Sequence, residues 1–250
     1  MRGLDSRSII VCGGASGIGR ACVTALVEAD CRVTIADHDE AAGRAVVEEV
    51  ERRGAEALFV PYDATSEADA ERLVAAALDR FGALHGMCYS VGLSTVRKSV
   101  KEMTLAEWQR ALDVNLTGAF LAIKHQLPAI EAAGGGAMVL IASMAAMKGT
   151  ARAADYCASK AGMLGLMRSV AVECAEAAVR LNVVMPGATW TPMLEAATSR
   201  EHSEGLVART PLRRIAEPHE IAEAVRWLLS DEASYITGAA IAADGGMSAL

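Results

Sequence analysis

Tyr156-Cys157-Ala158-Ser159-Lys160 sets a phenol and an ammonium at i and i+4, which share one face of a helix. An ordinary tyrosine, with a pKa of about 10, is a poor base at neutral pH. Neighbouring cations favour the phenolate, and a shift of three units takes about 4 kcal/mol, available only in a partly dehydrated site. Ser143 stands thirteen residues before Tyr156, where its hydroxyl could hold a substrate oxygen against the phenol. Asn115, within Asp113-Val114-Asn115-Leu116-Thr117-Gly118, falls inside a stretch that reads as helix, where Asn is unfavourable. It is either a buried amide bonded to backbone or part of the same site. Together these groups suit proton transfer to or from a hydroxyl.

A second set of residues suits an anion. Cys12-Gly13-Gly14-Ala15-Ser16-Gly17-Ile18-Gly19-Arg20 puts a glycine-rich turn between an apolar run and a helical stretch. Such a turn lets backbone N–H groups approach a pyrophosphate, with the positive end of the helix dipole facing it. The same glycines also serve any strand-to-helix turn that needs positive φ. Asp37 closes the next apolar run, twenty residues after Gly17, where an acid can accept hydrogen bonds from ribose hydroxyls. The other reading of Asp37 is a solvated acid in the loop Asp37-His38-Asp39-Glu40. Asp63, in Tyr62-Asp63-Ala64-Thr65, either caps the following helix or reaches the adenine.

These residues are spaced by short apolar runs and long helical ones. The patterning predicts strands over 8–12, 32–36, 57–60, 84–90, 137–142, 180–185 and 239–243. It predicts helices over 17–29, 40–53, 66–81, 104–131, 156–178 and 218–230. The strands are apolar without alternation, which indicates burial on both faces. Repeated strand-helix-strand units call for a parallel α/β sheet, doubly wound, with right-handed crossovers. No linker divides the chain, so residues 1–250 read as one domain. Residues 187–214 lack periodicity, and a substrate lid is expected at about 189–214.

The 250 residues carry 24 Lys+Arg against 31 Asp+Glu, a formal charge of −7, which argues against nucleic acid or an anionic membrane as partner. Hydrophobic residues at 52% and charged residues at 22% exclude disorder as the main state. No apolar run reaches membrane-spanning length, and the N-terminus lacks a signal-peptide pattern, so a cytoplasmic protein is expected. The six cysteines form no Cys-x-x-Cys pair and have no histidine at ligand spacing, so neither a metal nor a disulfide framework is expected.

Taken in order, the motifs from about Arg7 to Gly246 resemble the short-chain dehydrogenase/reductase family. Gly13, Gly14, Gly17 and Gly19 match the cofactor loop and Asp63 the adenine contact, while Asn115, Ser143, Tyr156 and Lys160 match the catalytic tetrad. Asn182-Val183-Val184-Met185-Pro186-Gly187 and Thr191 match the segment beside the nicotinamide. Tyr235-Ile236-Thr237-Gly238 and Asp244-Gly245-Gly246 match the C-terminal signature. The resemblance adds Ser16, Ile18, Ala64, Ser90, Gly92 and Thr189 as cofactor contacts. Two positions depart: Cys12 replaces a usual threonine, and Tyr89-Ser90-Val91-Gly92 replaces Asn-Asn-Ala-Gly.

The resemblance implies a Rossmann-type sheet of seven strands, order 3-2-1-4-5-6-7, and hydride transfer between nicotinamide and a secondary alcohol or ketone. Tyr156 is then the general acid/base, Ser143 positions the reacting oxygen, Lys160 bonds the nicotinamide ribose, and Asn115 holds a water that continues the proton path. Asp37 points to NAD, with NADP less favoured. The resemblance also implies a homotetramer through helices 104–131 and 156–178. Leu93, Met144, Met147, Met185, Trp190, Met193 and Leu194 fall around the nicotinamide, either as an apolar substrate pocket or as lid packing. Arg152 either meets an acidic group on the substrate or is solvated. The rivals are a 3-oxoacyl-carrier-protein reductase, with Arg209, Arg213 and Arg214 meeting the carrier, and a non-catalytic nucleotide-binding scaffold.

Overall fold

The structure is a computed structural model and describes residues 1–249. Seven parallel strands form one sheet in the expected order β3-β2-β1-β4-β5-β6-β7. They are β1 (Ser8–Cys12), β2 (Arg32–Asp37), β3 (Ala57–Pro61), β4 (Gly86–Tyr89), β5 (Gly136–Ile141), β6 (Val179–Pro186) and β7 (Ala240–Ala243). The order reverses between β1 and β4, so the crevice beyond their carboxyl ends is the natural ligand site.

Helices cover both faces of the sheet. On one side lie α1 (Gly17–Val27), α2 (Glu40–Arg52) and α9 (Pro218–Leu229); on the other lie α3 (Glu67–Phe81), α4 (Leu105–Leu112), α5 (Gly118–Ala132) and α6 (Ala154–Glu173). Alternate residues of each strand feed the two cores. Ile9 and Val11 pack toward α1 and α9, while Ile10 and Cys12 pack toward α3 and α5. This accounts for the unbroken apolar runs in the sequence.

The helix starts follow local chemistry. Asp39 accepts from Ala42 N–H to begin α2, and Ser66 from Asp69 N–H to begin α3. Thr104 with Glu107 and Glu217 with Glu220 form capping boxes on α4 and α9. The expected helix over 104–131 is interrupted. Asp113–Thr117 forms one π turn between α4 and α5, and Asn115 sits on it. Single π turns concentrate at functional sites because they turn a side chain out of the helical register. The lid also differs from expectation, since it folds two short helices, α7 (Pro192–Glu195) and α8 (Glu204–Ala208). Its stems are tied by a parallel bridge between Thr189 and Ala216.

Candidate active site

A cleft of about 720 Å³ opens along the carboxyl ends of the strands. At its nucleotide end, Gly13 has φ +78, and a Cβ there would lie 2.9 Å from Val91 N. At Gly19 a Cβ would collide with the carbonyl of Gly13. The turn therefore closes on itself only with glycine at both positions. Gly13, Ser16, Gly17 and Ile18 line the cleft, whereas Gly19 is buried behind the turn. Ser16 precedes α1 without capping it, and the first turn holds no acid. The first N–H groups of α1 thus have no side-chain oxygen, which fits a bound phosphate.

Asp37 ends β2 with 7% of its surface exposed. Its carboxylate accepts from Ala15 N–H at 3.0 Å and Asp39 N–H at 3.1 Å, and it meets His38 Nδ1 at 3.0 Å. These bonds fix its orientation on the cleft wall. Asp63 and Ala64 line the same end. The two readings of Asp63 separate here. Ser66 caps α3, while Asp63 accepts from Thr65 N–H at 2.9 Å and Thr65 Oγ1–H at 2.7 Å, leaving its other oxygen without a side-chain partner.

The two departures from the family pattern have visible consequences. Gln126 Nε2 donates to Cys12 Sγ at 3.6 Å, and burial pushes the Cys12 thiol up to about 12. The turn is held by backbone instead. Gly13 N–H donates to Ala36 O at 2.7 Å, and Ser90 N–H to Cys12 O at 2.8 Å. Tyr89 donates its hydroxyl to Val114 O at 2.8 Å and so satisfies a carbonyl of the π turn. Ser90 and Gly92 line the cleft beside it.

At the other end, Ser143 follows β5 and Tyr156 enters from the first turns of α6. The Ser143 hydroxyl lies beside the phenol, and both line the cleft. Burial raises the Tyr156 pKa above its ordinary value of 10, and the neighbouring Ser143 hydroxyl pulls it back. Lys160 is 3% exposed and donates to Ile141 O at 2.9 Å. Its Nζ lies 5.8 Å from the centre of the Tyr156 ring. Loss of hydration lowers its pKa from 10.5 to about 8. Within the protein alone, then, desolvation outweighs the cation's pull on the phenol.

Asn115 is fully buried. Its Oδ1 accepts from Leu93 N–H at 2.7 Å, and its Nδ2 donates to Leu93 O at 3.1 Å and Ser159 Oγ at 2.9 Å. The side chain ties the segment after β4 to α6, one residue from Lys160. Both amide hydrogens are engaged, so a water on this residue would have to bond elsewhere on it.

Pro186, Gly187, Thr189 and Thr191 line the cleft from the end of β6 into the lid, and Thr191 caps α7. Leu93, Met144, Arg152, Met193 and Leu194 also line it. Three expected neighbours do not. Met185 is buried beneath, Met147 is 61% exposed, and Trp190 lies in a separate cavity of about 420 Å³. There Trp190 stacks under the Arg200 guanidinium at 4.5 Å. Its backbone N–H donates to Ala216 O at 2.9 Å, at the lid stem. Arg152 points to the cleft rim, where its Nε donates to Arg97 O at 3.0 Å and it pairs with Glu102 at 3.7 Å. Thr95, Arg97, Leu206 and Met247 line the cleft without having been legible in the sequence, because no motif or periodicity marks them.

A protein-family model described as enoyl-(acyl carrier protein) reductase matches residues 13–248. The chain is 38% identical over 253 residues to 2,5-dichloro-2,5-cyclohexadiene-1,4-diol dehydrogenase of Sphingobium indicum, covering all of both chains. It is a short-chain dehydrogenase/reductase. Cyclohexanol dehydrogenase of an Acinetobacter species is 34% identical over 241 residues, 96% of this chain and 94% of that one. A solved 7α-hydroxysteroid dehydrogenase, complexed with NADH and 7-oxo glycochenodeoxycholic acid, superposes with a TM-score of 0.92 at 29% identity, covering 97% and 94% of the two chains. As a member of this family the protein is an oxidoreductase.

Proposed function

We propose that this short-chain dehydrogenase/reductase interconverts a secondary alcohol on a carbocyclic ring and the matching ketone, with NAD(H). The observation that carries the reading is the meeting of Ser143 and Tyr156 at the cleft surface, with the Lys160 ammonium buried beneath. The ring is supported by three relatives whose names describe a cyclohexadienediol, cyclohexanol and a steroid. The turn at Gly13–Ile18 and the uncapped start of α1 fit a dinucleotide pyrophosphate.

When bound, the nicotinamide supplies the hydride acceptor or donor. The protein's own groups do the rest. Ser143 holds the reacting oxygen toward Tyr156. Tyr156 takes the hydroxyl proton in oxidation and returns it in reduction. Lys160 bonds the nicotinamide ribose and favours the phenolate once further positive charge is near. Asn115 keeps Leu93 and α6 in register and so positions Lys160.

NAD is preferred to NADP because Asp37 would face a 2′-phosphate with like charge, and Ala15 and Ser16 supply no cation. A homotetramer is supported by Phe120 on α5 and Val172 on α6, 46% and 78% exposed, and by open space above Gly165. The carrier-protein rival is less well supported. Arg214 is spent on a two-pronged pair with Glu220, and Arg209 and Arg213 donate to carbonyls of their own segment.

The test is NADH formation, followed by absorbance, with purified protein and a series of ring alcohols. Turnover with higher kcat/KM for NAD than for NADP is expected. Silence toward every ring alcohol, or a preference for NADP, sinks the reading. Silence with tight NADH binding would favour a scaffold.

A further inference from the structure

The cleft is lined by two arginines that no carboxylate answers among the described residues, Arg110 on α4 and Arg97 in the exposed loop after β4. Lys98 pairs with Glu107, and Arg152 with Glu102. Arg97 lines the cleft, yet its guanidinium has no hydrogen-bond or ion-pair partner among the described residues. The acids that line the cleft, Asp37 and Asp63, stand at the ends of β2 and β3, the far side of the sheet from Ser143.

The backbone that presents Arg97 is strained and held. Arg97 has φ 56 and Arg152 φ 61, left-handed conformations that residues with a Cβ rarely adopt. Each loop holds the other. Arg97 N–H donates to Thr95 Oγ1 at 3.1 Å, and Arg97 O accepts from Arg152 Nε at 3.0 Å. Thr95 donates its hydroxyl to Asp155 Oδ1 at 2.7 Å. Asp155 is 1% exposed, has no partner for Oδ2, and immediately precedes Tyr156. A buried carboxylate committed to one threonine thus anchors the turn that carries Arg97 to the helix that carries the reacting phenol. Leu93, Met144, Met193 and Leu206 supply apolar lining to the same cleft, beside the polar Ser94 and Thr150.

We propose that Arg97 binds a carboxylate on the substrate, remote from the reacting hydroxyl, so that the substrate is a hydroxy acid built on an apolar ring. This deepens the reaction proposed above and rests on it. A guanidinium presents two parallel N–H donors that match two carboxylate oxygens, and a fixed backbone reduces the ordering cost of that match. Arg152, the candidate from sequence, serves instead as the brace for the Arg97 turn.

The experiment compares 4-hydroxycyclohexanecarboxylate with its carboxamide, nearly the same shape without the charge, and with cyclohexanol. The wild type should favour carboxylate over carboxamide by about fivefold or more in kcat/KM, through KM. Arg97→Gln should bring that ratio close to one, and Arg97→Lys should restore part of it. A ratio is read because general damage to the fold lowers both terms alike. No advantage for the carboxylate in the wild type, or an advantage that survives Arg97→Gln, overturns the proposal and leaves the reaction intact. Failure to turn over all three alcohols overturns the reaction instead. Calorimetric titration of the carboxylate into NADH-loaded wild type and Arg97→Gln then decides the role of Arg97, and equal affinity would refute it.

Discussion

The two halves of the cleft are built differently. In the nucleotide half, the lining hangs from strand ends and from the start of α1: Gly13 to Ile18 after β1, Asp37 on β2, Asp63 after β3 and Ser90 after β4. In the substrate half, the walls come from loops after β4, β5 and β6; the first two brace each other through bonds between Thr95, Arg97 and Arg152, Asn115 holds Leu93, and the lid is tied at its stem to Ala216. A strand end is fixed by the sheet whatever its neighbours are. A braced loop is fixed only by its partners. The first half should therefore tolerate change outside its contact residues, and the second should respond to substitutions that touch no substrate.

The largest effect expected is on chemistry, where the halves meet. Tyr156→Phe should lower kcat by about 10²–10⁴-fold, with NADH affinity, read by fluorescence titration, within about threefold of wild type. Lys160→Met should lower kcat and weaken NADH binding together, since one ammonium serves both halves. It should also change stability in a pH-dependent way. The Lys160 pKa falls to about 8 in the folded protein from an ordinary 10.5. The unfolded chain then holds more protons between those values, and wild-type stability gains as pH rises through that window. The stability of Lys160→Met relative to wild type, from urea unfolding, should therefore decline from pH 8 to 10.5. A difference independent of pH would mean that Lys160 is not held as a desolvated ammonium.

A smaller effect is expected from Asp37→Ala, which should narrow the NAD-over-NADP ratio of kcat/KM while leaving selectivity among alcohols alone. Smaller again is Trp190→Ala. Its ring lies under Arg200 outside the cleft, so melting temperature should fall while the ratio of kcat/KM between two ring alcohols stays within about twofold. A changed ratio at unchanged stability would return Trp190 to the substrate pocket.

Legibility in the sequence divides along the same line. The seven strands and the residues at their ends could be read because burial on both faces leaves unbroken apolar runs and because the turns need glycine, while their order followed from the family resemblance. Asn115 was legible as an anomaly, an unfavourable residue in a helical stretch, but the π turn that accommodates it has no sequence signature. Trp190 was placed by its neighbours Pro186–Thr191, yet its ring lies in a separate cavity under Arg200, a contact that no local pattern marks. Thr95 and Arg97 were invisible, since their roles arise from bonds to Asp155 and Arg152 more than fifty residues away.

The most direct test of the account is the pH dependence of both directions of the reaction. The protein's own groups hold Tyr156 above its ordinary range, so its proton is retained at neutral pH. Log kcat/KM for alcohol oxidation should climb with pH, with slope up to about one, while ketone reduction falls as Tyr156 loses its proton. Ser143→Ala, which removes the neighbouring hydroxyl that lowers the Tyr156 pKa, should move both profiles to higher pH. Profiles that are flat in both directions, or that Ser143→Ala leaves in place, would contradict proton transfer through Tyr156.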